Sequence, residues 1–300
     1  MRVILFLFLS CLIPLSATAH VFDAKVFNAF QFPDDQVPQM DGDLSDWEIV
    51  PAKYFIDYTY HEEAILDPSP VHDLADLHIK RIAVGWNDAA NRLYFMTEVY
   101  DDVHRFYKED PDSLDTYYSR LKGAYVHGCD IWEIVIDADH AGDQVVGFDR
   151  ENPEVEMRHR SAYTQNYHLY YPPINGYYWH WLWGKATWTA APEYSAFGWH
   201  YEGEHLSAGT VTYECYLTPF DDLHPDGPDS STVHDLRENA IIGLSWAFLD
   251  ADSSDTEFDA FWSFSKQVKV YNGAENLADF RLMPVDGEAD PSSVPEAGAR

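Results

Sequence analysis

Apolar and polar positions alternate with a period of two along most of this chain, which predicts strands that each bury one face. Ile82 to Asp102 reads as strand, Asn-Asp turn and strand, closing on a pair of aspartates. Cys129-Asp130-Ile131-Trp132-Glu133-Ile134-Val135-Ile136-Asp137-Ala138-Asp139 is a strand that runs into an acidic turn. Val211 to Phe220 alternates until Pro219 stops it, and Ile241 to Asp252 is a further apolar run with an acidic end, followed by Phe261-Trp262-Ser263. Ser113 to Leu121 has the pattern of a short helix, whereas Asp221-Asp222-Leu223 and Thr232 to Glu238 read as loops of one or two turns. No internal repeat is evident. The pattern predicts an all-β chain, an antiparallel β-sandwich of jelly-roll or immunoglobulin-like two-sheet architecture with long loops. It spans residues 20–285 as one domain, and the Pro/Gly/acid-rich residues 286–300 form a disordered acidic tail.

Ahead of these strands stands Met40-Asp41-Gly42-Asp43-Leu44-Ser45-Asp46-Trp47-Glu48. Gly42 accepts positive φ, Asp41 and Asp43 can bond local amides, and Leu44 and Trp47 supply apolar anchors. Taken in order, this turn and the four strand segments resemble carbohydrate-binding module family 9 and its relatives in the DOMON-like superfamily, over residues 38 to 285. The resemblance implies a β-sandwich, a non-catalytic role in recognising a sugar, and structural calcium. In the better-known modules two tryptophans clamp the reducing end of a glycan. That pair does not carry over residue by residue, because the chain departs from the family in the region where it would lie.

The departing region is an aromatic-rich insertion between residues 163 and 201, with a run of tyrosines and Trp179, Trp181, Trp183, Trp188 and Trp199. A sandwich core has limited room for indoles, and each buried one needs a partner for its N–H. Sugar rings present flat C–H faces that stack on such rings, and hydroxyls that bond to amides, imidazoles and carboxylates. The expected contacts are Trp179, Trp181 and Trp199 for stacking, with Tyr178, His180 and Asn175 as polar helpers. A core hairpin would use the same residues for packing alone.

The first nineteen residues have the form of a secretory signal peptide, with Arg2, an apolar run from Val3 to Leu15 and Ala17-Thr18-Ala19 as the cleavage site. A secreted or periplasmic protein without membrane insertion is therefore expected. With 19 basic and 51 acidic residues the formal charge is −32, which excludes nucleic acid as a partner and favours a neutral poly- or oligosaccharide. A saline medium would select the same acidic surface. Cys129 and Cys215 remain after processing and are either a disulfide or two buried thiols.

The acidic turns offer oxygen ligands at short spacing, Asp137 and Asp139 in one, Asp250 and Asp252 in the other, and either turn could hold calcium. Neither has the helix-flanked loop of an EF-hand. No organic cofactor is expected. The alternative within the superfamily is a haem b-binding, redox-subunit-like protein, for which the methionines are Met40, Met96, Met157 and Met283 and no matching lysine is evident. A surface scaffold that has lost its sugar site is a third possibility. No nucleophile elbow, zinc-protease motif or phosphate loop is present, and no carboxylate pair stands out for glycoside hydrolysis, so a link to polysaccharide breakdown would be that of an accessory.

Overall fold

The structure is a computed structural model that describes residues 25–63, 73–105, 128–142, 162–170, 180–182, 186–254, 257–264 and 274–285. The signal-like segment, the Ser113–Leu121 helix candidate and the acidic tail lie outside the described residues. The strands, in chain order, are β1 (Val26–Gln31), β2 (Glu62–Glu63), β3 (Leu77–Asn87), β4 (Arg92–His104), β5 (Ile131–Asp137), β6 (Gln165–Tyr170), β7 (His180–Leu182), β8 (Ser195–Tyr201), β9 (Ser207–Leu217), β10 (Phe220–Asp222), β11 (Thr232–Val233), β12 (Ile241–Asp250), β13 (Ala260–Ser263) and β14 (Ala278–Leu282).

Two sheets face one another. The first runs β7-β6-β5-β12-β14, with β13 also on β12; the second runs β3-β4-β9-β8. β1 belongs to both, because Val26 to Ala29 pair with β14 while Phe30 and Gln31 pair with β3. Both of these pairings are parallel, whereas the other pairings in the two sheets are antiparallel. The sandwich is thus as the alternation predicts, apart from this one strand. A second difference is that the segments read as loops around Asp222 and Thr232 pair as the short ribbon β10–β11.

The core between the sheets is strongly aromatic. Trp132 of the first sheet stacks on Phe248 at 6.0 Å and 4°, and meets Tyr213 of the second sheet edge-on at 5.8 Å and 88°. Trp246 stacks on Phe264 at 4.1 Å and donates its indole N–H to His61. A bulge between Ile79 and Arg81 inserts one residue into β3. As a result Leu77 and Ile79 before it and Ile82, Val84 and Trp86 after it all reach this core, although the numbering parity changes. Cys129 and Cys215 are buried free thiols, each pushed well above the ordinary thiol range by burial.

The outer face of the second sheet is covered by the chain between β1 and β3. Trp47, Tyr54 and Val50 from that segment pack with Phe32, Ala83, Tyr94 and Met96. The turn at Asp41-Gly42 fixes this cover. Glu214 of β9 accepts from the Asp41 and Gly42 amides (2.9 Å each) through Oε1 and from Trp47 Nε1 (3.0 Å) through Oε2. The approach is close enough that a Cβ on Gly42, whose φ is +86°, would lie 2.2 Å from the Trp199 carbonyl carbon, and one on Gly198 would lie 2.3 Å from the Asp41 nitrogen. Two glycines from distant segments therefore let backbone touch backbone.

Candidate functional site

In β5 every residue is buried, yet a glutamate stands in the middle. Trp132, Ile134 and Ile136 face the inter-sheet core, so Glu133 and Val135 face the other way, on the outer side of the first sheet. The register places Ser263, Ala247, Glu133 and His168 side by side across β13, β12, β5 and β6, and continues to Trp181 in β7. The adjacent row is Ser245, Val135 and Asn166. Ser245, Ala247 and Ser263 are short, so Glu133, Asn166 and His168 rise beside a shallow floor.

These polar groups are fully enclosed. Glu133, Asn166, His168, Ser245 and Ser263 are each 3% exposed or less. Asn166 Nδ2 donates to Glu133 Oε1 at 2.6 Å, and His168 Nε2 lies 3.4 Å from the same oxygen. The Asn166 side-chain carbonyl and the Ser245 hydroxyl have no hydrogen-bond partner. Buried polar atoms are nearly always satisfied, and leaving one unpaired costs about 1–3 kcal/mol. An enclosed face that combines a carboxylate, an imidazole, a carboxamide and a hydroxyl, two of them with unmet capacity, is suited to a ligand rich in hydroxyl groups.

A second concentration of charge lies at one end of the sandwich, where both sheets finish. Asp76 precedes β3, Asp101 and Asp102 end β4, Asp130 precedes β5, and Asp250 and Asp252 end β12. The side-chain oxygens of Asp76, Asp250 and Asp252 lie within 4.8 Å of one another, as do those of Asp101, Asp102 and Asp252. His104 Nδ1 bridges Asp101 (2.9 Å) and Asp130 (2.7 Å), and Arg105 donates to the carbonyls of Ala251 and Asp252. Burial alone would lower the His104 pKa, but its two carboxylate partners raise it to about 9, so it stays charged at neutral pH. Burial, and then the surrounding aspartates, push Asp250 well above the carboxylate range and Asp252 to about 8. Oδ1 of Asp250, on a residue 2% exposed, and Oδ1 of Asp252 have no partner. His104 thus neutralises the Asp101–Asp130 pair, while Asp76, Asp250 and Asp252 bring their carboxylate oxygens together beside it.

The structure separates the two acidic turns expected to bind metal. Asp250 and Asp252 belong to this cluster. Asp137 and Asp139 lie at the far end of β5, roughly 20 Å away at strand rise, since Asp137 pairs with Gly243 and Ile131 with Leu249. There Asp137 Oδ2 accepts from the Gly142 amide and Asp139 Oδ1 from the Ala141 amide, and His140 Nε2 meets Asp279 at 3.0 Å. Burial raises Asp137 to about 7. The turn makes its own backbone bonds, and here too one buried oxygen, Asp137 Oδ1, has no partner.

Among the expected sugar contacts, Trp179, Tyr178 and Asn175 lie outside the described residues. Trp181 and His180 are in β7, opposite His168 and Leu169; their side chains are likewise outside the description. Trp199 is placed elsewhere. It sits opposite Tyr213 on the edge strand of the second sheet and packs, partly buried, against the inter-sheet core, so the structure does not bring it to the polar face. Met96 and Met283 are buried in the cover of the second sheet and Met40 packs against it. Sequence reasoning passed over Glu133, Asn166, His168 and Ser245 as site residues. For Glu133 and Ser245 the signal was a polar residue at an outward position of a strand whose inward neighbours are large and apolar.

No sequence-family profile matches the chain, and no curated protein matches it. In structure it is similar in fold to a carbohydrate-binding module family 9 from Caldicellulosiruptor kristjanssonii, solved in complex with cellotriose and in complex with glucose. The identities are 15% and 12%, the TM-scores 0.48 and 0.47; 89% and 90% of this chain and 97% and 98% of those chains are covered.

Proposed function

We propose that this chain is a non-catalytic carbohydrate-binding domain that holds a neutral sugar on the outer face of the first sheet. The observation that carries the reading is the pair of unpartnered buried atoms, Asn166 Oδ1 and Ser245 Oγ, beside Glu133 and His168. Sugar hydroxyls both donate and accept, so one ring can satisfy the carbonyl and the hydroxyl together. The backbone register sets Trp181 opposite His168, which makes it the first of the expected stacking residues to test. A formal charge of −32 is compatible with an uncharged glycan. We further assign calcium to Asp76, Asp250 and Asp252, with Asp101 and Asp102 completing the oxygen set, because hard divalent cations take six to eight such ligands. The signal-like first nineteen residues support export, and the role that fits is accessory to polysaccharide breakdown.

A neutral-glycan array probed with the protein, with and without chelator, tests the reading directly. Binding to β-glucans or xylans that disappears in Glu133→Gln and Trp181→Ala at unchanged melting temperature would support it. A wild-type protein that retains no neutral glycan would sink it. For calcium the readout is thermal: the ion should raise the melting temperature of the wild type, the chelator should reverse this, and Asp250→Asn should not respond. A wild-type melting temperature indifferent to both would remove the assignment.

A further inference from the structure

A cavity of about 110 Å³ lies between the start of β1 and the 53–60 segment; it is lined by Lys25, Asn28, Lys53, Tyr54, Phe55 and Tyr60 among others. In a chain of net charge −32, cations are expected to be matched by carboxylates. Lys80 and Arg81 are matched, both by Glu98. Lys25 and Lys53 are not. Lys25 Nζ meets the Tyr60 hydroxyl at 2.5 Å and the rings of Phe27 and Tyr60 at 4.4 and 4.0 Å, and Lys53 Nζ lies 5.2 Å from the Tyr54 ring. No carboxylate among the described residues pairs with either. The same cavity is lined by Tyr54, whose hydroxyl is buried without a hydrogen-bond partner.

We propose that this cavity is a second binding site, separate from the outer face of the first sheet, for a carboxylate-bearing sugar of the uronate class. Two ammonium groups without counter-ions supply charge-assisted donors for one carboxylate. Phe55 lines the cavity as an aromatic partner for the C–H face of a pyranose, and Asn28 lines it as a polar partner for its hydroxyls. A multiply charged ligand such as a sulfated glycan or a phosphate is disfavoured by the field of the whole chain. A monoanion meets the local pair of lysines and little long-range cost. The cavity's size suits a single terminal residue in place of a chain lying across it.

The experiment is a calorimetric titration of the full chain with sodium glucuronate, with glucose (ring without charge) and with acetate (charge without ring), at constant ionic strength. In Glu133→Gln, where the neutral-sugar face is disabled, glucuronate should bind saturably and at least about tenfold more tightly than either control. Lys25→Gln/Lys53→Gln should lose about tenfold or more of that affinity at unchanged melting temperature. Glu133→Gln should leave glucuronate binding intact, which keeps this site distinguishable from the neutral-sugar face. Absence of saturable glucuronate binding overturns the proposal. So does equal affinity for acetate, which would mark a bare anion site, or undiminished binding by the double lysine variant.

Discussion

Each sheet buries one glutamate on its outer face, and the two are treated in opposite ways. Glu214, on the second sheet, has donors at both oxygens, all from the segment that covers it, within an apolar cluster built around Trp47. Glu133, on the first sheet, shares one oxygen between Asn166 and His168, and the next row carries a carbonyl and a hydroxyl with nothing to bond. The first arrangement is closed, because the chain itself supplies every partner. The second has capacity that the described chain does not use. A buried carboxylate alone therefore says little about function; what its neighbours lack says more.

The sharpest way to break this comparison is to remove the closed side. Trp47→Ala should cost about 3–5 kcal/mol, read by denaturant unfolding, because the indole fills the cover and donates to Glu214. A loss below about 1 kcal/mol would mean that the cover is not part of the folded unit. Gly42→Ala comes next, at about 2–3 kcal/mol, since its Cβ would meet the Trp199 backbone at positive φ. Glu133→Gln should shift stability by less than about 1 kcal/mol, because a carboxamide oxygen can still accept from Asn166. Its effect should fall on glycan binding, weakened about tenfold or more; equal binding by the variant would place the sugar elsewhere.

A further expected effect is in pH dependence. Burial, against three donors, raises Glu214 from 4.5 to about 7. The folded state then holds a proton that the unfolded state has released, so this group's contribution to stability falls as pH rises from about 4.5 to 7 and is level above. Subtracting the stability curve of Glu214→Gln from that of the wild type should isolate this decline. The variant itself should be less stable throughout, because its amide turns a donor toward the Trp47 N–H. A difference curve that is flat over the window, or that rises, would show that the three donors outweigh burial.

Strands were legible as apolar runs bounded by turn residues: Ile131, Trp132, Ile134 and Ile136 read as a strand and are one. The anchoring role of Gly42 and Trp47 was legible as a turn with apolar pegs, but not the identity of their receptor, since Glu214 is more than 160 residues distant in sequence. The same limit hid both sites. Glu133, His168 and Ser245 become neighbours only through the register of β5, β6 and β12, and the six aspartates converge from the ends of strands in two sheets. Spacing along the chain gave Asp250 and Asp252 the same weight as Asp137 and Asp139, and could not show that the register sends the two turns to opposite ends of the sandwich. Trp199 was counted with its aromatic neighbours because composition cannot tell an edge strand of one sheet from the face of another.

The strand shared between the sheets has a consequence for how the chain reaches this state. Val26 pairs with Asp279, so the element that joins the sheets closes a loop of nearly the whole chain, and loop closure over such distances is slow. Synthesis delivers β1 first and its partner β14 last. Until then one edge of β12 and the start of β1 have no lasting hydrogen-bond partners and are open to pairing with other molecules. A chain cut short of Phe280 should therefore accumulate as aggregates instead of a smaller folded domain, and chaperone holding during biogenesis should matter most in the interval before the final strand arrives.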